Sequence, residues 1–188
     1  MVVHGIIPEK RIFINDTQER DMPESLIFPQ RTLLVLCGPA GSGKSTFAAR
    51  HFPETAIVSS DRCRAMICDD ANNQAVTRDA FDLFHYILQK RMALGRLCVA
   101  DSVALRAYAR ENLRVLSRRF GYFGCLLIFP TTPEICIERD RQRERRVGES
   151  VVRYHSDLLA RTLQEVSHEG WERIHVLTGE EPDIRFED

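Results

Sequence analysis

The chain has 188 residues, 44% of them hydrophobic and 28% charged, with a formal net charge of -1, which is the composition of one ordinary globular domain. No apolar run approaches the ~20 residues of a membrane helix, and the start "MVVHGIIPEKRIF" lacks the basic end, long apolar stretch and small-residue site of an export signal. The expected location is therefore cytoplasmic, and with no global positive charge any nucleic acid partner has to be met by local charge.

In chain order, residues 1–31 read as an N-terminal arm or added strand around "RIFIND", and 32–188 as the main domain. "TLLVLC" (32–37), "AIVSS" (56–60), "RLCVAD" (96–101), "FGCLLIF" (123–129) and "RIHVL" (173–177) are short apolar runs with the look of buried strands. Between them lie helical patterns: "KSTFAARHF", then "TRDAFDLFHYILQKRMAL", where Ala80, Phe81, Phe84, Ile87, Leu88 and Met92 share a face, then "ALRAYARENLRVLSRRF". "TPEICIERDRQRERR" follows, with Thr132 as cap and Pro133 in the first turn, and then "YHSDLLARTLQEVSHEG". Strands alternating with helices predict an α/β fold, a mainly parallel sheet with helices on both faces.

The six cysteines show neither a disulfide framework nor metal-ligand spacing. Cys37, Cys98 and Cys125 sit in apolar runs, Cys63 and Cys68 are five apart, and no C-x-x-C or H-E-x-x-H occurs. They read as buried free thiols in a reducing compartment. Among the 26 basic residues only Lys10, Lys44 and Lys90 are lysines.

Lys44 stands in "GPAGSGKST", which follows the first strand and opens a helix. Gly38, Gly43, Lys44 and Ser45 satisfy G-x-x-x-x-G-K-[ST] in the context that gives the pattern its meaning. Glycines, among them Gly41, let backbone N–H groups of the loop, through Ser42 to Thr46, approach phosphate oxygens. The helix amino terminus adds its positive dipole end, Lys44 reaches the outer phosphates, and the Ser45 hydroxyl is a ligand for Mg²⁺. Binding of a nucleoside triphosphate, ATP in the leading reading, is expected. "NKxD", which would read guanine, is absent, and the third strand ends "VADSV" rather than in the acidic pair of a hydrolysing motor. Phosphoryl transfer to an acceptor is then the leading class.

A transferase needs a base near the acceptor. Asp61, in "SSDRCR" after the second strand, stands where the carboxyl ends of strands bound the ligand crevice. It is a candidate general base, with Arg64 on the same helical face to hold an anionic group; the alternative is that Asp61 caps a helix starting at Arg62. In "ERDRQRERR" (138–146), Arg139, Arg143 and Arg146 follow helical spacings of four and three, which predicts a helical arginine-bearing lid around 133–150; the alternative is a solvated charged face. Arg106, Arg110, Arg114 and Arg118 recur every four residues with Tyr108 among them, and read as a solvated face rather than a strand-tracking stripe.

Taken together, "GPAGSGKSTFA", "SSDRCRAMICDD", Gln74, "AFDLFHYILQKRMALGRL", "AD" at 100–101, "CIERDRQR" and "EGWERIHVL" resemble the kinase module of bacterial polynucleotide kinase-phosphatase, a P-loop phosphotransferase of RNA repair, from about Leu33 to Leu177. The resemblance implies transfer of the ATP γ-phosphate to 5′-hydroxyl ends of RNA or DNA with Mg²⁺. By position it makes Lys44 and Ser45 contacts to phosphate and metal, Asp61 the general base, and Arg64 the acceptor contact. It places Gln74 on the acceptor side and makes Arg139 and Arg143 the arginines that grip the ATP phosphates, while Asp101 orders a metal-bound water. Such modules share chains with other end-processing domains, so further domains or repair proteins are expected partners. The chain departs from the pattern at Asp101, Ser102, Val103 and Ala104, where the family commonly reads "DATN", and in a lid shorter by about one residue between Arg143 and Val147. A P-loop kinase of a small hydroxylated metabolite, and a nucleotide-binding regulatory module without turnover, are the competing readings.

Overall fold

The structure, a computed structural model, describes residues 12–14, 25–143, 146–179 and 181–187. Positions 1–11 and 15–24 of the expected N-terminal arm, and 144 and 145 of the expected lid, lie outside the described residues. The strands are β1 (Ile12–Ile14), β2 (Ser25–Pro29), β3 (Thr32–Cys37), β4 (Ile57–Ser59), β5 (Cys98–Asp101), β6 (Phe123–Ile128), β7 (Arg173–Val176) and β8 (Asp183–Glu187). The helices are α1 (Lys44–His51), α2 (Ser60–Cys68), α3 (Thr77–Ala93), α4 (Ala107–Arg119), α5 (Pro133–Arg141) and α6 (Glu149–Glu165).

Six strands form one parallel sheet in the order β1-β7-β6-β3-β5-β4. All six residues of β3 are buried, as a central strand covered on both faces requires. Its alternate side chains divide between two cores. Leu33, Val35 and Cys37 pack with Phe84, Leu88 and Met92 of α3, Leu113 of α4 and Leu159 of α6, while Leu34 and Leu36 pack with Phe47 and Ala48 of α1 and with Leu26 and Phe28 of β2.

The second face therefore carries α1 together with a two-stranded parallel sheet of β2 and β8. Leu26 and Phe28 alternate inward along β2 against exposed neighbours, and Arg173 lays its guanidinium over the Phe28 and Phe123 rings.

From β3 the chain crosses to β4 and back to β5 on one side, then to β6 and β7 on the other. That reversal makes the carboxyl end of β3 a topological switch point, where open α/β sheets hold their ligands.

Candidate active site

The glycine-rich loop leaves β3 at this switch point. Gly38 N donates to Val103 O at 3.1 Å, tying the loop to the segment after β5. At Gly41, φ is +84° and a Cβ would lie 2.5 Å from the Cys136 carbonyl oxygen, so a side chain there would collide with the backbone of α5. Gly43 caps α1 in the left-handed region, and no side chain makes a cap hydrogen bond at the amino end of that helix. Gly38, the buried Ser42 and the exposed Thr46 shape this turn.

Lys44 Nζ folds back to donate to Gly38 O at 2.8 Å, Pro39 O at 2.6 Å and Ser42 Oγ at 3.2 Å. Burial lowers its pKa to about 8, against the pull of Asp101. The ammonium is thus held at the loop by acceptors that phosphate oxygens can replace.

Beside it, Ser45 Oγ donates to Asp101 Oδ2 at 2.9 Å. Burial raises the pKa of Asp101, the hydrogen bond from Ser45 and the charge of Lys44 oppose the rise, and nearby Asp61 adds to it. Asp61 lies in the first turn of α2, which begins at Ser60 with Ser59 as its cap, so Asp61 does not hold the cap position. Arg64 Nη1 reaches Asp61 Oδ1 at 2.6 Å and Ala71 O at 3.1 Å. Arg64 is only 4% exposed, and its Nε is buried with no hydrogen-bond partner.

The lid departs from expectation. Helix α5 ends at Arg141 because the buried Asp140 turns the chain, accepting from Val147 N and Gly148 N at 3.0 Å each. Arg139, Arg143 and Arg146 therefore do not form one helical stripe. Arg139 Nη1 donates to Gly41 O at 3.3 Å, over the phosphate loop, while Arg143 and Arg146 reach the cleft from the following loop.

A single cleft of about 730 Å³ gathers Lys44, Ser45, Asp61, Arg64, Gln74, Asp101 and Arg143. Its described lining carries five basic side chains, Lys44, Arg64, Arg106, Arg143 and Arg146, against the two carboxylates of Asp61 and Asp101.

Three features escaped the sequence reading. His155 of α6 lines the cleft and accepts from Ala40 N at 3.4 Å, so its ring is neutral there; burial and the charges of Lys44 and Arg106 hold its pKa down to about 4. Arg110 is 1% exposed, not on a solvated face: it pairs with Glu169 and donates to Ala104 O, Leu105 O and Thr162 Oγ1. It thereby holds Ala104 at a φ of 48°, a left-handed conformation unusual for alanine. Asp140 is the third. None is visible from spacing, because each acts on residues distant in the chain or on a turn the periodicity hides.

The cradle at the switch point of a helix-flanked parallel sheet, with an arginine set over it, defines a P-loop kinase-type domain. The chain belongs to the AAA domain family, whose profile matches residues 33–166. Among solved structures it is similar to a chain of the Pnkp1/Rnl/Hen1 RNA repair complex, with a TM-score of 0.63 and 20% identity over 74% of this chain and 47% of that one. It is similar to a chain of AvrRxo1-ORF1:-ORF2 with ATP, with a TM-score of 0.58 and 19% identity over 73% of this chain and 50% of that one. A gluconokinase from Sinorhizobium meliloti 1021 gives a TM-score of 0.51 and 17% identity over 81% of this chain and 86% of that one. At these identities the likeness is one of fold, and the chain spans about half the length of the first two (47% and 50%). Comparison with curated proteins finds no match.

Proposed function

We propose that this domain transfers the γ-phosphate of ATP to the 5′-hydroxyl end of an RNA or DNA strand. The observation that carries the reading is that Asp61 lines the same cleft as Lys44, Ser45 and Asp101, which sets a carboxylate beside the place where the loop would present a terminal phosphate. Lys44 exchanges loop carbonyls for phosphate oxygens, backbone N–H groups of residues 41–46 cradle the rest, and Arg139 and Arg143 neutralise charge on the transferring group.

Asp61 takes the proton of the acceptor hydroxyl. As the new O–P bond forms on the γ-phosphorus, the bond to the bridging oxygen breaks and ADP leaves with the electron pair. Arg64 orients Asp61 through its Nη1 and adds positive charge on the acceptor side, where Gln74 also lines the cleft. Ser45 and, through water, Asp101 would hold a magnesium ion: a hydroxyl and a carboxylate in hydrogen-bond contact are the hard oxygen donors such an ion takes. When bound, that ion supplies charge neutralisation on the phosphate oxygens.

Arg64, Arg106 and Arg146, the basic cleft residues not assigned to the ATP phosphates, support a polyanionic acceptor over a neutral sugar. Acceptor length tests this. Transfer to an oligonucleotide in preference to a nucleoside or gluconate is expected. Transfer to the small acceptor alone would make the domain a metabolite kinase, and ATP binding without transfer to any acceptor would make it a regulatory module.

A further inference from the structure

We propose that Arg106, Tyr108 and Tyr154 form a stacking platform for an unpaired nucleobase of the acceptor strand; the inference rests on the polynucleotide reading above. All three side chains line the cleft that contains Asp61 and Arg64. Tyr108, in the first turn of α4, is 65% exposed, and Tyr154, near the start of α6, is 46% exposed. Both rings are therefore wet although they stand in a concave site, each offering apolar area that a flat ligand would cover.

Tyr154 is held in place. Arg106 Nη2 donates to its hydroxyl at 2.9 Å, and the guanidinium lies 5.9 Å from its ring centroid, within cation–π reach. A ring fixed by its polar end loses little further freedom when a base stacks on its face. Arg106 precedes α4 as its cap residue, with a planar group that suits either a base face or a strand phosphate.

This combination of aromatic rings and arginine is the chemistry that binds single strands without reading their sequence. A paired terminal base is held by its partner strand and stacked on one face, so turning it onto the platform costs unpairing and unstacking, and the platform favours frayed, overhanging or single-stranded 5′ ends. It gives the arginine-and-tyrosine pattern around residues 106–118 two separate uses: Arg110 is structural, while Arg106 and Tyr108 face the acceptor.

The test is steady-state transfer from ATP by the full chain and by Tyr108→Ala, Tyr154→Ala and the double variant. Acceptors are a single strand with a 5′-hydroxyl, the same strand with abasic sugars at its 5′ end, and a blunt duplex. Each alanine variant should raise the KM for the single strand roughly tenfold or more, with the KM for ATP held, and Tyr108→Phe should restore it. The parent should discriminate against the abasic strand and the double variant should not. An unchanged oligonucleotide KM in the alanine variants, with the parent active, overturns the platform alone. A raised KM for ATP instead overturns it by assigning the rings to the donor base. A parent that transfers to no oligonucleotide overturns the polynucleotide reading, and the platform falls with it.

Discussion

Ser45 Oγ donates to Asp101 Oδ2 at 2.9 Å across 56 residues of sequence, joining the end of the phosphate loop to the end of the adjacent strand. The pair is formed because β3 and β5 are neighbours in register, with Leu36 opposite Asp101. We predict that Asp101→Asn keeps this hydrogen bond, since an amide oxygen still accepts, but removes the charge. Magnesium affinity, read by titrating the ATP complex, should fall roughly 10- to 100-fold, while metal-free ATP binding holds or improves. Unchanged magnesium affinity would remove Asp101 from the metal's surroundings.

Lys44 makes ATP binding depend on pH. Burial brings its pKa down to about 8, and a bound phosphate raises it again by favouring the ammonium. Binding near pH 8 should therefore take up protons, and affinity should weaken as pH rises above that value. Calorimetric titration in buffers of differing ionisation enthalpy measures the uptake directly; Lys44→Met should abolish it.

The buried Arg110 and the partly exposed Glu169 form an ion pair behind the segment that follows β5. Removing Arg110 leaves the Glu169 carboxylate unpaired but partly wetted, so the loss lies at or below the about 3–5 kcal/mol of a fully buried pair. We expect Arg110→Met to lower the melting temperature by roughly 2–4 °C for each kcal/mol lost. Arg110→Met combined with Glu169→Leu should recover much of the loss, a rescue that a catalytic defect would not show.

Stability should also fall in mild acid. His155 and His175 both have pKa values held down to about 4 from 6.5, first by burial and then by neighbouring positive charge. Between those limits the unfolded chain binds protons that the folded chain refuses, so stability declines as pH falls from 6.5 toward 4. The two together cost on the order of 2–4 kcal/mol, discounted for the partial solvent access of His155. Melting curves across this range check the sign, and NMR titration of the two rings assigns it.

Much of the fold was legible from periodicity. The five apolar runs became β3 through β7, because a central parallel strand is apolar on both faces and needs no partner to declare itself. Thr132 and Pro133 marked the start of α5 as read. Strands β2 and β8 were missed: Ile27 and Pro29 break any apolar–polar alternation in β2, and the alternation of Ile184 and Phe186 in β8 gains meaning only when the two strands pair.

For the site, the loop motif located the glycine-rich turn after β3 and the buried lysine that folds back onto it, since that geometry is local. The surroundings were less legible. Asp140 ends α5 through bonds to a turn seven and eight residues on, and helical spacing continues through the arginines regardless. His155 meets Ala40 across 115 residues, and Arg110 shares its spacing with the exposed Arg106 and Arg118 while facing inward.

The most direct test of the account is label transfer from γ-labelled ATP to matched RNA and DNA strands bearing either a 5′-hydroxyl or a 5′-phosphate, with Asp61→Ala beside the parent chain. The account predicts label on the 5′-hydroxyl ends alone, and a loss of roughly 100- to 10,000-fold in the variant with ATP affinity retained. Label on neither strand with ATP bound, or transfer undiminished by Asp61→Ala, would contradict it.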